Sequence, residues 1–230
     1  MCFPKNNFNL FLTFIALGKN IYCISGFGAD ERVFLKINFP GYDVHFIKWL
    51  DPVRNETIEN YALRMREQIR HDGAVLFGLS FGGIMSIEIA KVTTIQRVIL
   101  VSSVKTYHEM PPWMRITGKL HLDKMVPLKS FDFIKSLENR QMGVENKEEE
   151  LLVNEYRNSI SQNYTNWSVH QIVNWKNEWI PNNIVHIHGK KDRVFPVRYV
   201  RADYVINDGG HFMIMNRAEE INAILKKILE

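Results

Sequence analysis

The most constraining feature of this chain is a glycine-flanked serine, Ser80, in the pentapeptide GLSFG at residues 78–82. Residues 74–77 before it form a short, continuous apolar run that is typical of a buried strand, and residues 83–90 after it predict a helix. A strand can turn directly into a helix only where side chains are missing at the turn, because the two backbones approach each other closely there. The pentapeptide therefore predicts a strained strand-turn-helix unit with the serine at its tip.

The same pattern, G-x-S-x-G between a strand and a helix, is the nucleophile elbow of serine hydrolases. A glycine-rich turn with an incidental serine is the plainer alternative. A serine hydroxyl becomes a good nucleophile only when a base accepts its proton and a third group orients that base. The hydrolase interpretation therefore requires an acid and a base in suitable places further along the chain.

Both partners are present in loops that follow predicted strands. Asp192 lies in the segment GKKDRVFP directly after the apolar run 184–188, and His211 lies in the segment DGGHF before the last helix. The chain order Ser80, Asp192, His211 is one of the orders in which such triads occur. Asp208, three residues before His211, is the alternative acid, but we interpret it as a turn residue.

Apolar runs alternate with helical patterns along most of the chain. Continuous runs of this kind predict the strands of a parallel sheet that is covered by helices on both faces. From about residue 104 to residue 180 the pattern changes to helices without a convincing buried strand. We therefore predict one α/β domain over residues 19–230, with a helical cap inserted at about 104–180, after the strand that ends near Ser103. The predicted strands are residues 20–25, 43–49, 74–78, 97–101, 183–188 and 202–206.

Through three motifs the chain resembles the α/β-hydrolase superfamily, and most closely its small, single-cap bacterial carboxylesterase-like members. The motifs are G-x-S-x-G, G-x-x-D-x-x-x-P and G-G-H-F, and the resemblance extends over residues 20–230. It implies that Ser80 is the nucleophile, His211 the general base and Asp192 the orienting acid. These motifs are specific to the superfamily and not to a substrate.

The resemblance also implies an oxyanion hole that is formed by two backbone N–H groups, those of Phe27 and Phe81. Many relatives have His-Gly where this chain has Ser25-Gly26, a departure that bears on the shape of the hole. The backbone donor itself does not depend on that side chain.

The reaction that the resemblance implies is acyl transfer from a small ester with a hydrophobic part to water, with no cofactor and no metal. Trp113, in the predicted cap, is our candidate for a residue that lines the substrate pocket. Arg115 is the residue that a lyase would need there to bind an anionic substrate. The same triad supports thioesterase, C–C hydrolase and cofactor-free lyase activities, and a non-catalytic ligand-binding module is a further alternative.

Composition argues against several other classes of function. The net charge of +4 is small and is spread along the 230 residues, so we expect no nucleic-acid partner. His186 and His188 alternate along a predicted strand, but no third ligand accompanies them, and we interpret them as hydrogen-bonded core residues rather than a metal pair. Cys2 and Cys23 do not suggest a disulfide framework.

The N-terminal residues 1–18 allow two interpretations. Residues 8–17 are apolar and resemble a short signal sequence, but residues 18–20 lack the small-residue cleavage pattern. The run is also too short to span a bilayer, and we expect no stable membrane insertion elsewhere. We predict a non-catalytic extension and a cytoplasmic protein, with export as the alternative.

Overall fold

Six apolar segments form the strands of one sheet in the computed structural model, which describes residues 19–121 and 139–230. These segments are rich in β-branched and aromatic residues, which suit a pleated and buried surface. All six were predicted from the sequence, and their ends differ from the prediction by one or two residues at most. The strands are β1 Lys19–Ile24, β2 Tyr42–Ile47, β3 Ala74–Leu79, β4 Ile95–Val101, β5 Ile184–Gly189 and β6 Tyr204–Ile206.

The strands lie in the order β2-β1-β3-β4-β5-β6, and every neighbouring pair is parallel. The carboxyl ends of parallel strands share one edge of the sheet, so the segments that follow β1, β3, β5 and β6 meet there. The chain proceeds from β1 to the outer strand β2 and then crosses to β3 on the other side of β1. That reversal creates a crevice at the carboxyl ends of β1 and β3, where ligands of open α/β sheets bind.

Helices connect the strands and cover the sheet. Several begin at a polar cap: the side chains of Thr57, Asn146 and Ser161 each accept a hydrogen bond from the N–H three residues later. Among the described residues, no helix is both long and apolar enough to cross a lipid bilayer. The helices are Ile58–Arg66, Phe81–Ala90, Pro112–Lys119, Lys147–Ser159, Gln162–Asn174, Met213–Asn216 and Ala218–Leu229.

Hydrophobic clusters cover both faces of the sheet, because successive strand residues point to opposite sides. On one face, Leu76 and Leu100 pack with residues of the helices Ile58–Arg66 and Phe81–Ala90. On the other face, Phe77 and Ile99 pack with residues of the C-terminal helix. The predicted α/β class, a parallel sheet covered on both faces, is therefore confirmed.

The described part of the segment between β4 and β5 is helical, and the chain rejoins the sheet beside β4. Val98 of β4 pairs with Ile184 of β5, and the segment from the end of β4 to the start of β5 is called the helical excursion here. Three of the helices lie in this excursion, and its described residues contain no strand. Residues 122–138 of the predicted cap, 104–180, lie outside the described residues, as does the predicted extension 1–18. The cap boundaries therefore stay a prediction.

Candidate active site

Ser80 occupies a strained turn between β3 and the helix Phe81–Ala90. Its φ is 52° and its ψ is −117°, a conformation that is costly for a residue with a side chain. A Cβ on Gly78 would collide with the Gly82 carbonyl and the Ser86 side chain, and a Cβ on Gly82 would collide with the Ile24 carbonyl. Glycine is thus required on both sides of the serine, as the close approach of strand and helix demands.

Neighbouring strands hold this turn in place. The Ser80 N–H donates to the Val101 carbonyl at 2.9 Å, and the Ser103 hydroxyl donates to the Ser80 carbonyl at 2.7 Å. Both partners lie at the carboxyl end of β4, the central neighbour of β3. The backbone of the serine is therefore anchored from the side, and its half-buried hydroxyl points away from the sheet toward the loops.

The structure brings Ser80, His211 and Asp192 into one hydrogen-bonded line. His211 Nε2 lies 2.9 Å from Ser80 Oγ, and His211 Nδ1 lies 2.8 Å from Asp192 Oδ2. A carboxylate oxygen can only accept, so Nδ1 carries the proton and Nε2 is free to accept one from the serine. Asp192 and His211 are buried, with 4% and 7% of their surfaces exposed. This arrangement can transfer a proton from the hydroxyl to the imidazole.

Asp192 is held by the loop in which it lies. Its Oδ1 accepts hydrogen bonds from the Val194 N–H at 2.8 Å and the Phe195 N–H at 2.9 Å, which leaves Oδ2 for the imidazole. Asp208, the alternative acid, is 64% exposed at its side chain and pairs with Lys191 at 2.6 Å. The carboxylate in contact with His211 is thus that of Asp192.

The loop that carries His211 is supported by the helical excursion, a contact that sequence reasoning missed. The Phe212 N–H donates to the Met142 carbonyl at 2.7 Å, and a Cβ on Gly143 would lie 3.1 Å from the Gly210 Cα. Gly143 has a positive φ of 77°, and Gly210 is the residue directly before the histidine. Glycines at both positions were visible in the sequence, but nothing in the local pattern indicated that they meet.

The two predicted oxyanion donors border Ser80 from different elements. A Cβ on Gly26 would lie 3.4 Å from Ser80 Cβ, so the loop that carries Phe27 runs directly past the serine. Phe81 follows the serine in the turn. Within the described ranges, neither the Phe27 N–H nor the Phe81 N–H donates to a backbone carbonyl. Both are therefore available to a ligand.

Ser25, which stands where many relatives have histidine, stabilises the first of these loops. Its hydroxyl donates to the Ala29 carbonyl at 2.6 Å and accepts from the Trp49 indole N–H at 3.0 Å. The Trp49 ring in turn stacks on Phe81, with 5.0 Å between ring centroids. The serine at this position thus stabilises the loop through the hydrogen bonds of its hydroxyl to Ala29 and Trp49.

A cavity of about 370 Å³ lies beside the loop that follows β1, and Ser80 and His211 are not among the residues that line it. It is bordered by Ser25 and Gly28, by Trp49, and by Tyr164 from the helix Gln162–Asn174. The predicted pocket residues do not line it: Trp113 is 55% exposed, and the Arg115 guanidinium lies over the Tyr107 ring. In the described part of the chain, no hydrogen bond, ion pair or ring contact joins either residue to the triad. Tyr164 and Trp49 line this cavity, and sequence reasoning did not single them out.

His186 and His188 are fully buried on β5 and contact each other, with 3.2 Å between His186 Nε2 and His188 Nδ1. Burial lowers the pKa of both imidazoles, most strongly that of His186. Across residues 19–121 and 139–230, no group of three or more potential ligands could hold a metal ion. The two histidines therefore belong to the polar interior behind Asp192.

Comparison with solved structures relates this architecture to known proteins. The chain is similar to an esterase from Exiguobacterium antarcticum, at 15% identity and a TM-score of 0.65, with 92% of each chain covered. It is similar to a bromoperoxidase from Bacillus anthracis, at 18% identity and a TM-score of 0.65, again with 92% of each chain covered. It is also similar to MenH from S. aureus, at 16% identity and a TM-score of 0.68, over 92% of this chain and 93% of that one.

No protein-family model and no curated protein sequence matches the chain. The likeness therefore concerns the fold, and it extends over almost the whole length of the solved structures. The parallel sheet, the turn at Ser80 and these neighbours agree with the resemblance found in the sequence. The chain has the α/β-hydrolase fold.

Proposed function

We propose that this protein is a serine hydrolase that cleaves a small carboxylic ester through an acyl-enzyme intermediate. One observation carries the proposal: the unbroken line from Ser80 Oγ through His211 to Asp192, with distances of 2.9 and 2.8 Å. The esterases among the structural neighbours support it. Because other neighbours are a bromoperoxidase and MenH, the fold alone does not identify the reaction, and the hydrogen-bonded site is the stronger evidence.

Acylation begins when the Ser80 oxygen attacks the carbonyl carbon of the ester. His211 Nε2 accepts the hydroxyl proton, and the carboxylate of Asp192 stabilises the imidazolium that forms. The carbonyl oxygen becomes an oxyanion, which accepts hydrogen bonds from the Phe27 and Phe81 N–H groups. Loss of one such donor typically costs about 10²–10³ in kcat. The bond to the alcohol oxygen then breaks, and the imidazolium returns its proton to the leaving alcohol.

Deacylation repeats these steps with water as the nucleophile. His211 accepts a proton from the water as the water oxygen attacks the acyl carbonyl. The second tetrahedral intermediate collapses, the bond to Ser80 breaks, and the serine recovers its proton from the imidazolium. The products are a carboxylic acid and the free enzyme, so the cycle needs no cofactor.

The cavity beside the oxyanion loop is the candidate site for the part of the ester that does not react. At about 370 Å³ it lies in the lower part of the range for small-molecule sites. Trp49 and Tyr164 provide aromatic walls. Arg115, the residue that a lyase would use to bind an anion, is not among the residues that line this cavity.

Turnover of a series of 4-nitrophenyl esters of increasing acyl length tests the proposal. The wild-type protein should turn over the shorter esters repeatedly, and Ser80→Ala should lower kcat by about 10⁴ or more. Ser102→Ala is the matched control, because Ser102 also ends a strand with a positive φ of 49° and is fully buried. A Ser80→Ala protein as active as the control would overturn the mechanism. Labelling of Ser80 by a fluorophosphonate without turnover would indicate the non-catalytic binding module instead.

A further inference from the structure

His188 is connected to the acid of the triad through the backbone of one residue, Phe195. It is fully buried at the end of β5, and its Nε2 lies 2.8 Å from the Phe195 carbonyl oxygen. A carbonyl only accepts, so Nε2 carries a proton and donates it. The N–H of Phe195 donates to Asp192 Oδ1 at 2.9 Å. The His188 ring therefore fixes the backbone of Phe195, and the N–H of Phe195 binds the carboxylate of Asp192.

The same nitrogen also faces the carboxylate itself. His188 Nε2 lies 3.6 Å from Asp192 Oδ2, the oxygen that accepts from His211. This distance is too long for a hydrogen bond, and the one proton on Nε2 is already donated to the Phe195 carbonyl. His188 therefore does not compete with His211 for Oδ2, and it acts on Asp192 through Phe195.

The other ring nitrogen of His188, Nδ1, faces His186. Because burial lowers the pKa of His188, the ring is neutral near pH 7, and with Nε2 protonated its Nδ1 is an acceptor. His186 Nε2 lies 3.2 Å away and donates to it. His186 Nδ1 has no hydrogen-bond partner in the described part of the chain, so this chain of imidazoles ends there.

We propose that His188 is a positioning residue for Asp192: by donating to the Phe195 carbonyl it keeps Oδ2 directed at His211. The inference rests on the proposed hydrolase function, since it assigns His188 to that site. The plainer interpretation is a buried histidine that only satisfies its own polar atoms and stabilises β5. The two interpretations differ in what happens to the His211–Asp192 hydrogen bond when the ring is replaced.

Three substitutions separate them. His188→Leu removes the donor and leaves the Phe195 carbonyl buried without a partner. His188→Gln can place an N–H near the position of Nε2 and should restore the bond. His186→Leu is the matched control, because it removes an equally buried histidine two residues earlier on the same strand whose ring hydrogen bond is to His188 Nδ1, and it leaves the Nε2 donor to the Phe195 carbonyl in place. Stability of all three is measured by urea unfolding, so that loss of fold is separated from loss of function.

We expect His188→Leu to lower kcat by an amount on the order of 10² with little change in KM, as a misplaced catalytic group does. His188→Gln should keep kcat within about tenfold of wild type, since one neutral hydrogen bond is restored. His186→Leu should lower the free energy of unfolding to a similar extent as His188→Leu but keep most of kcat. Equal losses of kcat in the two leucine variants would overturn the proposal.

A measurement without turnover keeps this inference distinct from the proposed function. The proton between His211 Nδ1 and Asp192 should resonate downfield of the other exchangeable protons, because the bond is charge-assisted. It should be present in wild type, His186→Leu and His188→Gln, and broadened or lost in His188→Leu. If the resonance persists unchanged in His188→Leu, the positioning role is wrong even where esters are hydrolysed. If His188→Leu does not fold, the comparison of His188→Gln with the shorter His188→Asn takes its place, and equal spectra would contradict the proposal.

Discussion

The loops that supply Asp192 and His211 reach the same point by different means. The acid loop follows a full strand, β5, and is braced by its own backbone: two N–H groups of residues 194 and 195 hold one carboxylate oxygen. The base loop follows the three-residue strand β6 and is braced from outside, by Met142 and Gly143 of the helical excursion. The two loops also join each other, because the Lys191 N–H donates to the Gly209 carbonyl at 2.8 Å. The difference is that local N–H groups hold the carboxylate, whereas the base loop has additional contacts about 70 residues away.

This difference assigns the excursion a role beyond covering the site. Asn216 donates to the Gly143 carbonyl at 3.0 Å, and Arg217 pairs with Glu145, so the segment after His211 is fastened to the start of the helix Lys147–Ser159. A substitution in the excursion should therefore displace the imidazole of His211 more than the carboxylate of Asp192.

The largest expected loss of kcat follows a substitution in the acid loop, whose carboxylate is held by N–H groups of the same loop. Asp192→Asn should keep the fold, because the amide oxygen can still accept from the loop, but it should stabilise the wrong imidazole tautomer and lower kcat by about 10⁴. Steady-state hydrolysis of the best ester measures this, with Asp208→Asn as the control. Near-wild-type turnover in Asp192→Asn together with a large loss in Asp208→Asn would move the acid to the other loop.

A smaller loss is expected where the excursion meets the base loop. Gly143→Ala adds a Cβ 3.1 Å from the Gly210 Cα at a φ of 77°, so the His211 loop must shift. Gly41→Ala is the matched control, since Gly41 has a φ of 78° with open space around it. Each should lose about 1–2 kcal/mol of unfolding free energy from the left-handed conformation.

Only Gly143→Ala should also lose turnover, by roughly tenfold, because it displaces a catalytic side chain. Denaturant unfolding and ester kinetics on the same preparations measure both quantities. Equal kcat in the two alanine variants would show that the excursion does not position His211.

Acid should weaken the interior behind the acid loop. Burial depresses the pKa of His186 and His188 in the folded protein below 6.5, so between those folded values and about pH 6.5 the unfolded chain binds more protons. Stability from these groups is complete above about pH 6.5 and is lost as the pH falls below it. Each histidine contributes up to about 1.4 kcal/mol per pH unit.

Urea unfolding from about pH 8 down to about pH 5 measures this slope. In His186→Leu the free energy of unfolding should fall less steeply with decreasing pH, because one of the two buried histidines is missing. An unchanged slope would mean that other groups cause the acid lability of the protein.

The smallest expected effect on stability follows loss of the exposed ion pair between Arg217 and Glu145, which joins the base loop to the excursion. Arg217 and Glu145 form two short contacts, but the Glu145 side chain is 45% exposed, and solvent screens the pair. Arg217→Gln should cost less than about 1 kcal/mol, and the cost should shrink at high salt. Urea unfolding at two salt concentrations tests this. A loss of kcat as large as that in Gly143→Ala would show that the pair, and not the glycine contact, positions the histidine.

Local patterns in the sequence were sufficient for the sheet and for choosing three residues that the structure brings together at its edge, whose catalytic roles stay a prediction. Apolar runs predicted every strand, and the predicted helix after Ser80 begins only two residues later than the observed start at Phe81. Asp192 and His211 were found because each follows a strand, and strand ends converge in a parallel sheet. Their mutual distances still depended on the three-dimensional structure.

Contacts between distant segments did not follow from local patterns. Trp113 was chosen for the pocket because it lies in the predicted cap, but its helix buries Met114 and Gly118 and leaves the tryptophan 55% exposed. An amphipathic helix shows which face is apolar but not whether a cavity or water lies beside it. Its place in the pocket stays a prediction. The meeting of Gly143 with Gly210 was hidden for the same reason, because it depends on how the excursion folds back.

Covalent trapping is the most direct test of the account. A fluorophosphonate added to the wild-type protein should attach once, at Ser80, and stop ester hydrolysis in proportion to the labelled fraction. His211→Ala should slow that labelling strongly, because no base then accepts the hydroxyl proton. Peptide mass spectrometry locates the adduct. Full ester turnover by protein that carries the adduct at Ser80, or inhibition with the adduct on another residue, would contradict the assignment of Ser80 as the nucleophile.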